Sequence, residues 1–227
     1  MGQQTRNVDI VFCIDGTGSM FPIMDNVKAK AKQFNDDLRN AIVELGSDVG
    51  SVRVKLIIFR DYGVDEVPMD ISNWYELPDD DDLFSERLNG ISPSGGGDIP
   101  ENGLEALYYA LKSDFVNGPS DRQVIVMITD AEALDMGVRA TSPKYPTDMG
   151  NLADLSAIWM GMVQDPNLKL AQHNKRLLMF APAGTKYEDL ASVLEGSMFR
   201  PVDPGRGLAD VEFGDIVKII ARSVGTK

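Results

Sequence analysis

Four stretches of the chain are apolar at nearly every position rather than at alternate ones: 8–14, 52–59, 124–128 and 177–181, each rich in Val, Ile, Leu or Phe. A strand with one wet face alternates apolar and polar residues, so unbroken runs predict strands buried on both faces, as in a parallel sheet. Between the runs the apolar spacing changes to three and four. Residues 22–46 open with Pro22, set Ile23, Val27, Phe34, Leu38, Ile42 and Leu45 on one face and stop at Gly46, which predicts one long amphipathic helix. Leu104, Leu107, Tyr108 and Leu111 predict a helix over 102–114, and 152–164, 186–195 and 208–224 read the same way. Residues 67–71 read as a short edge strand. The four consecutive aspartates at 79–82 read as a solvated turn whose last member caps a helix holding Leu83, Phe84 and Leu88. Strands alternating with helices predict an α/β fold: a doubly wound, mostly parallel central sheet flanked by helices on both faces.

The chain has 227 residues and no Ser/Gly/Pro-rich linker, so a single domain over 1–227 is expected, with its core at about 8–224. Against 22 Lys and Arg stand 35 Asp and Glu, a formal net charge of −13. At long range that field repels polyphosphates and attracts divalent cations, so nucleic acid is not an expected partner. No stretch approaches the ~20 apolar residues that cross a bilayer, and the polar start through Arg6 fits neither a secretory leader nor a myristoylation signal. No membrane association and a cytoplasmic location are therefore expected. Cys13 is the sole cysteine, which rules out an intrachain disulfide, and its apolar surroundings predict a buried, inert thiol.

In an open α/β sheet, ligands bind beyond the carboxyl ends of the strands, so the residues that follow each strand carry the chemistry. After the first strand comes Asp15-Gly16-Thr17-Gly18-Ser19-Met20, and after 124–128 comes Thr129-Asp130-Ala131. Between them lies the glycine-rich segment Ser94-Gly95-Gly96-Gly97-Asp98. Asp15, Thr17 and Ser19 alternate around two glycines, so one carboxylate and two hydroxyls can converge above the sheet. Mg2+ takes oxygen ligands in near-octahedral geometry and keeps several waters, so few carboxylates plus hydroxyls suit it better than a Ca2+ cage; Mn2+ or Ca2+ are the alternatives. Each element also has a purely structural reading, as a helix cap or a glycine turn.

Together these three segments resemble the von Willebrand factor type A (vWA) domain with its metal-ion-dependent adhesion site. The resemblance rests on Asp15-x-Thr17-x-Ser19, the glycine-rich loop ending at Asp98, and Asp130 at the end of Val-Ile-Val-Met-Ile-Thr-Asp. It implies a Rossmann-like fold and a metal held by Asp15, Thr17, Ser19, Asp98 and Asp130, whose last ligand is an Asp or Glu of a partner protein. Gly97 stands where many members carry threonine, so Asp98, Ser92 or Ser94 is left to supply the second loop's ligand. The resemblance further implies a place in a multi-protein assembly with an ATPase, kinase or phosphatase.

Enzymatic readings fit less well. An aspartyl-phosphate nucleophile loop needs an acid where Cys13 stands, and no complete Gly-x-Gly-x-x-Gly or Gly-Lys-Ser/Thr phosphate loop is present. The lone His173 lies in a polar turn before a strand, so hydrolase triads lack their base. A binding module is expected, with a metal-independent scaffold and a Mg2+-dependent phosphatase-like hydrolase as alternatives. Residues 133–151 are long for a connection after a strand and should flank the crevice, with Lys144 and Tyr145 as partner contacts and Met20 and Phe21 lining it.

Overall fold

The computed structural model describes residues 5–30, 33–95, 100–204 and 213–225. Its centre is a seven-stranded sheet. β1 (Thr5–Asp15) lies between β2 (Asp48–Phe59) and β5 (Arg122–Ile128), and β6 (Lys175–Pro182) and β7 (Ser197–Val202) extend the sheet beyond β5. These five run parallel, whereas β3 (Met69–Ile71) and β4 (Tyr75–Leu77) both pair antiparallel with β2 at the sheet's edge.

The unbroken apolar runs have the expected cause, because both faces of the sheet are covered. Ile10, Phe12, Val54, Leu56, Val124 and Val126 point to one side, where they pack on α2 (Phe34–Glu44), α3 (Asp81–Gly90) and α7 (Phe213–Gly225). Val11, Cys13, Ile57, Ile125 and Met127 point to the other, under α4 (Gly103–Leu111), α5 (Leu152–Trp159) and α6 (Lys186–Val193). Alternate Cβ atoms of a strand leave on opposite faces, so a run that is apolar at every position feeds two cores at once. Cys13 is fully buried, and burial pushes its thiol far above the ordinary range, so it behaves as a small hydrophobe.

Several boundaries differ from the sequence expectation. The one helix expected over 22–46 is instead α1 (Phe21–Lys30), preceded by a 3-10 turn at Gly18–Met20, and α2. The helix expected over 102–114 spans Gly103–Leu111, and that over 152–164 ends at Trp159. In the aspartate run, helix α3 already starts at Asp81, so Asp82 lies within its first turn rather than capping it. Asp80 instead turns back, and its carboxylate accepts the Glu76 N–H at 2.8 Å. β4 and β7 had no counterpart in the pattern; at three residues, and at six with only Val202 buried, neither carries an unbroken apolar run.

Asp9 ties the sheet to the loop before β5. Only 2% exposed, it accepts Arg53 Nε and Nη2 at 2.8 and 2.5 Å and the Val116 N–H at 2.7 Å. Removing one member strands the other in a half-buried setting, and breaking such a pair costs about 3 kcal/mol or more. Asp9→Ala should therefore lower the urea midpoint with an unchanged m-value, whereas Asp79→Ala in the solvated turn should leave it where it is.

Candidate metal centre

Parallel register brings the carboxyl ends of three strands to one level: Ile14 pairs with both Ile58 and Ile128, and Asp15 with Phe59. The chain departs from β1 towards β2 on one side and continues from β5 to β6 on the other, so the β1/β5 junction is the switch point where an open α/β sheet forms its crevice. Asp15 and Thr129 stand side by side there.

Asp15 has no exposed surface. Its Oδ1 accepts the Thr17 N–H at 2.9 Å and the Thr17 hydroxyl at 2.6 Å, and its Oδ2 accepts the Thr129 hydroxyl at 2.7 Å. Thr17 Oγ1 lies 3.3 Å from Ser19 Oγ, which donates to Asp130 Oδ1 at 2.9 Å. A continuous chain of oxygens thus runs from Asp15 through Thr17 and Ser19 to Asp130, joining residues 111 apart in sequence. Asp130 is 3% exposed, and its Oδ2 is buried with no hydrogen-bond partner.

Burial raises the pKa of both carboxyls. For Asp15 desolvation outweighs the hydrogen bonds from Thr17 and Thr129, and the charge of Asp130 adds to the rise. For Asp130 desolvation outweighs the bond from Ser19. Two acids held close in a dry crevice, one with an orphaned oxygen, are groups whose charge a nearby cation would stabilise. Hard oxygen donors, two of them carboxylates and two hydroxyls, are the donor set that Mg2+ accepts. Among the described residues no group of three or more His, Cys, Asp or Glu is clustered to hold a metal, so any such site relies on the hydroxyls.

The loops around this chain are fixed mainly by Arg60, at the end of β2. Its Nε donates to Gly16 O and Ser94 O at 3.0 and 3.1 Å, Nη1 to Val67 O at 3.4 Å and Nη2 to Ser92 O at 3.3 Å. The Ser94 N–H also donates to Gly16 O at 3.0 Å. Only glycine fits at 16, where a Cβ would lie 2.7 Å from Ile58 and 2.8 Å from the Arg60 guanidinium carbon. Gly95 has φ +81°, and a Cβ there would lie 1.7 Å from Asp65 Oδ1. The glycine-rich loop is thereby drawn against the first loop as far as residue 95; Gly97 and Asp98 lie outside the described residues.

The structure brings together Asp15, Thr17, Ser19 and Asp130. The segment 129–132 is not helical, so Asp130 is not a helix cap. Met20 is fully buried, while Phe21 is 57% exposed beside the crevice. Residues 133–151 pack on the loop after β2. There Arg139 pairs with the buried Asp61, and the Ser142 hydroxyl donates to Tyr62 O at 2.6 Å. Lys144 and Tyr145 have internal partners: Lys144 Nζ donates to Asp65 O at 2.8 Å, and the Tyr145 hydroxyl to Glu105 at 2.9 Å. Sequence reasoning missed Thr129 and Arg60. The first was hidden in plain view beside Asp130; the second had only one signal, a basic residue placed immediately after an apolar strand.

A family model described as von Willebrand factor A domain matches residues 9–200, and the chain belongs to that family. Members typically mediate protein–protein interaction or adhesion. Among solved structures the chain is similar to a von Willebrand factor type A protein from Catenulispora acidiphila, with 12% identity and a TM-score of 0.53, covering 98% of this chain and 44% of that one. It is also similar to the pilus adhesin SpaC from Lactobacillus rhamnosus GG in its open conformation, with 13% identity and a TM-score of 0.56, covering 99% of this chain and 31% of that one. These likenesses speak to the fold, and the chain spans less than half the length of either protein. None of the curated proteins compared with the chain matches it. No helix among the described residues is long and apolar enough to cross a membrane.

Because the folded-state pKa of Asp130 lies above its ordinary value of 3.8, the native state retains a proton that the unfolded chain has lost. Stability of the metal-free protein should therefore fall as pH rises from about 3.8 through the raised value, and the cost of the buried charge is complete above it. Asp130→Asn keeps an acceptor for Ser19 and removes that charge. In EDTA its stability should no longer fall over that pH range, whereas that of the parent should, read by thermal denaturation.

Proposed function

We propose that the chain is a metal-dependent protein-interaction module. Asp15, Thr17, Ser19 and Asp130 would hold a divalent cation, Mg2+ first among the candidates, with Asp98 of the adjoining loop as a further ligand. The observation that carries this reading is the buried, unpartnered Asp130 Oδ2 at the end of a hydrogen-bonded chain of oxygens. A bound cation would supply a Lewis-acidic position for one more anionic oxygen, and a carboxylate on a partner protein is the ligand that fits. A domain of net charge −13 needs such a charge inversion to recognise an acidic group.

The chain's own residues prepare this arrangement. Asp15 accepts three hydrogen bonds and fixes Thr17, Ser19 is aimed by Asp130, and Arg60 sets the distance between the first and second loops. Binding is favoured over catalysis by what surrounds the oxygens. Both hydroxyls lie within a hydrogen-bonded carboxylate network, and His173, the sole imidazole, is exposed before β6 at the far edge of the sheet.

Calorimetric titration with MgCl2 tests the reading. The parent should bind one Mg2+, and saturation at ~100 times Kd should stabilise it by about 2.7 kcal/mol relative to EDTA. Asp15→Ala should abolish both the heat and the stabilisation. No binding by the parent at millimolar Mg2+ would remove the metal from the account and leave the scaffold reading in its place.

A further inference from the structure

Two arginines in the described residues show how this chain satisfies a guanidinium. Arg53 gives Nε and Nη2 side-on to the two oxygens of Asp9, and Arg139 gives the same pair to Asp61. At the amino-terminal end of the strands, opposite the metal centre, three arginines lack such a carboxylate, as Arg60 does, but use far fewer of their donors. Arg6, Arg122 and Arg176 lie on the neighbouring strands β1, β5 and β6. Arg6 reaches the carbonyl of Val224 on α7, Arg122 shares its face with Val124, and Arg176 shares its face with Leu178, so all three occupy the α7 side. The register pairs Val8 with Arg122 and Val124 with Arg176, which steps each arginine two residues from the next along a diagonal row.

Each of the three is anchored through Nη1 alone, and only to main-chain carbonyls. Arg6 donates to Val224 O at 2.5 Å, Arg122 to Asp121 O at 3.2 Å, and Arg176 to His173 O and Lys175 O at 3.4 and 2.8 Å. Their Nε and Nη2 groups, the side-on fork that grips oxyanions, have no acceptor among the described residues. Arg6 is only 4% exposed, and its Nε is buried without a partner. The adjacent acid is already spent, since Asp121 accepts Asn7 Nδ2 through one oxygen at 2.8 Å and the Gly118 N–H through the other at 2.7 Å. Burial, followed by the like charges of Arg6 and Arg176, holds Arg122 below its ordinary pKa despite Asp121. Among the described residues none of these three cations has a carboxylate partner, in a chain with 35 acidic residues.

We propose that this row is an oxyanion site that takes a phosphoryl group, free or carried on a small organic ester, through the forks of Arg6, Arg122 and Arg176. Asp9 and Asp61 each take one fork and one backbone N–H; three forks match the higher charge and additional oxygens of phosphate. The acidic net charge opposes approach at long range, while the local row attracts at contact. The site lies at the other end of the strands from the metal centre and does not depend on it.

The test is titration of the full chain with inorganic phosphate at an ionic strength held constant with NaCl, read by calorimetry and thermal denaturation. The parent should show saturable binding and a rise in Tm that chloride does not reproduce. Arg122→Gln and Arg176→Gln should each weaken binding at least about tenfold, the loss of a hydrogen bond to a charged group. Arg176 is half-buried near the start of β6, so its variant should keep the parent's Tm in phosphate-free buffer. Phenyl phosphate run in parallel separates the sources: tighter binding than inorganic phosphate assigns an ester, and equal or weaker binding assigns the free ion. A response no greater than that to chloride, or Gln variants that bind as the parent does, would overturn the proposal.

Discussion

The arrangement depends on one constraint, the buried carboxylate of Asp15 at the level where β1, β2 and β5 end. A carboxylate with no exposed surface and no basic partner costs free energy unless donors surround it, and Thr17 and Thr129 provide them from two different strand ends. Those bonds fix where the first loop turns and how β5 leaves the sheet, which in turn sets Ser19 against Asp130. The local geometry is over-determined by hydrogen bonds, yet the electrostatics remain unbalanced, since both acids are pushed towards protonation. Satisfied geometry joined to acids shifted by burial is a combination found at functional sites, and it is what the proposed cation would relieve.

The supporting shell has a different character. Arg60 makes all its bonds to main-chain carbonyls of three segments, so it joins loops without neutralising the acids they present. Arg139 pairs with Asp61 and holds the 133–151 segment against the loop after β2, with Lys144 and Tyr145 adding internal bonds. The cations near the crevice are thus used to position backbone or balance structural acids. The exposed surface beside it retains apolar residues such as Phe21, Val64 and Val138, suitable for the area around a docked carboxylate.

What could be read from the sequence followed from burial on two faces. The four central strands were legible because each feeds both cores, and Asp15 and Asp130 were legible because they stand immediately after such strands. β4 and β7 were not, because edge strands need only one packed face and carry no unbroken apolar run. That 22–46 holds two helices, α1 and α2, was equally hidden, since the apolar spacing runs through both. Thr129 and Arg60 escaped because their roles lie in tertiary partners: a hydroxyl aimed at a carboxylate on the neighbouring strand, and a guanidinium whose acceptors are backbone oxygens that no side-chain pattern records. The family model matches 9–200 and so bears out the family, while Asp98 of the second loop lies outside the described residues.

The central claim is that oxygens from separate chain segments surround one cation at the β1/β5 junction. Anomalous diffraction from crystals grown with Mn2+ measures this directly. The account predicts a single anomalous peak at the junction, with hydroxyl oxygens of Thr17 and Ser19 at roughly 2.1–2.2 Å and the carboxylates of Asp15 and Asp130 bound to it directly or through its waters. No peak there, with the Ser19 to Asp130 hydrogen bond still intact at millimolar Mn2+, would contradict it.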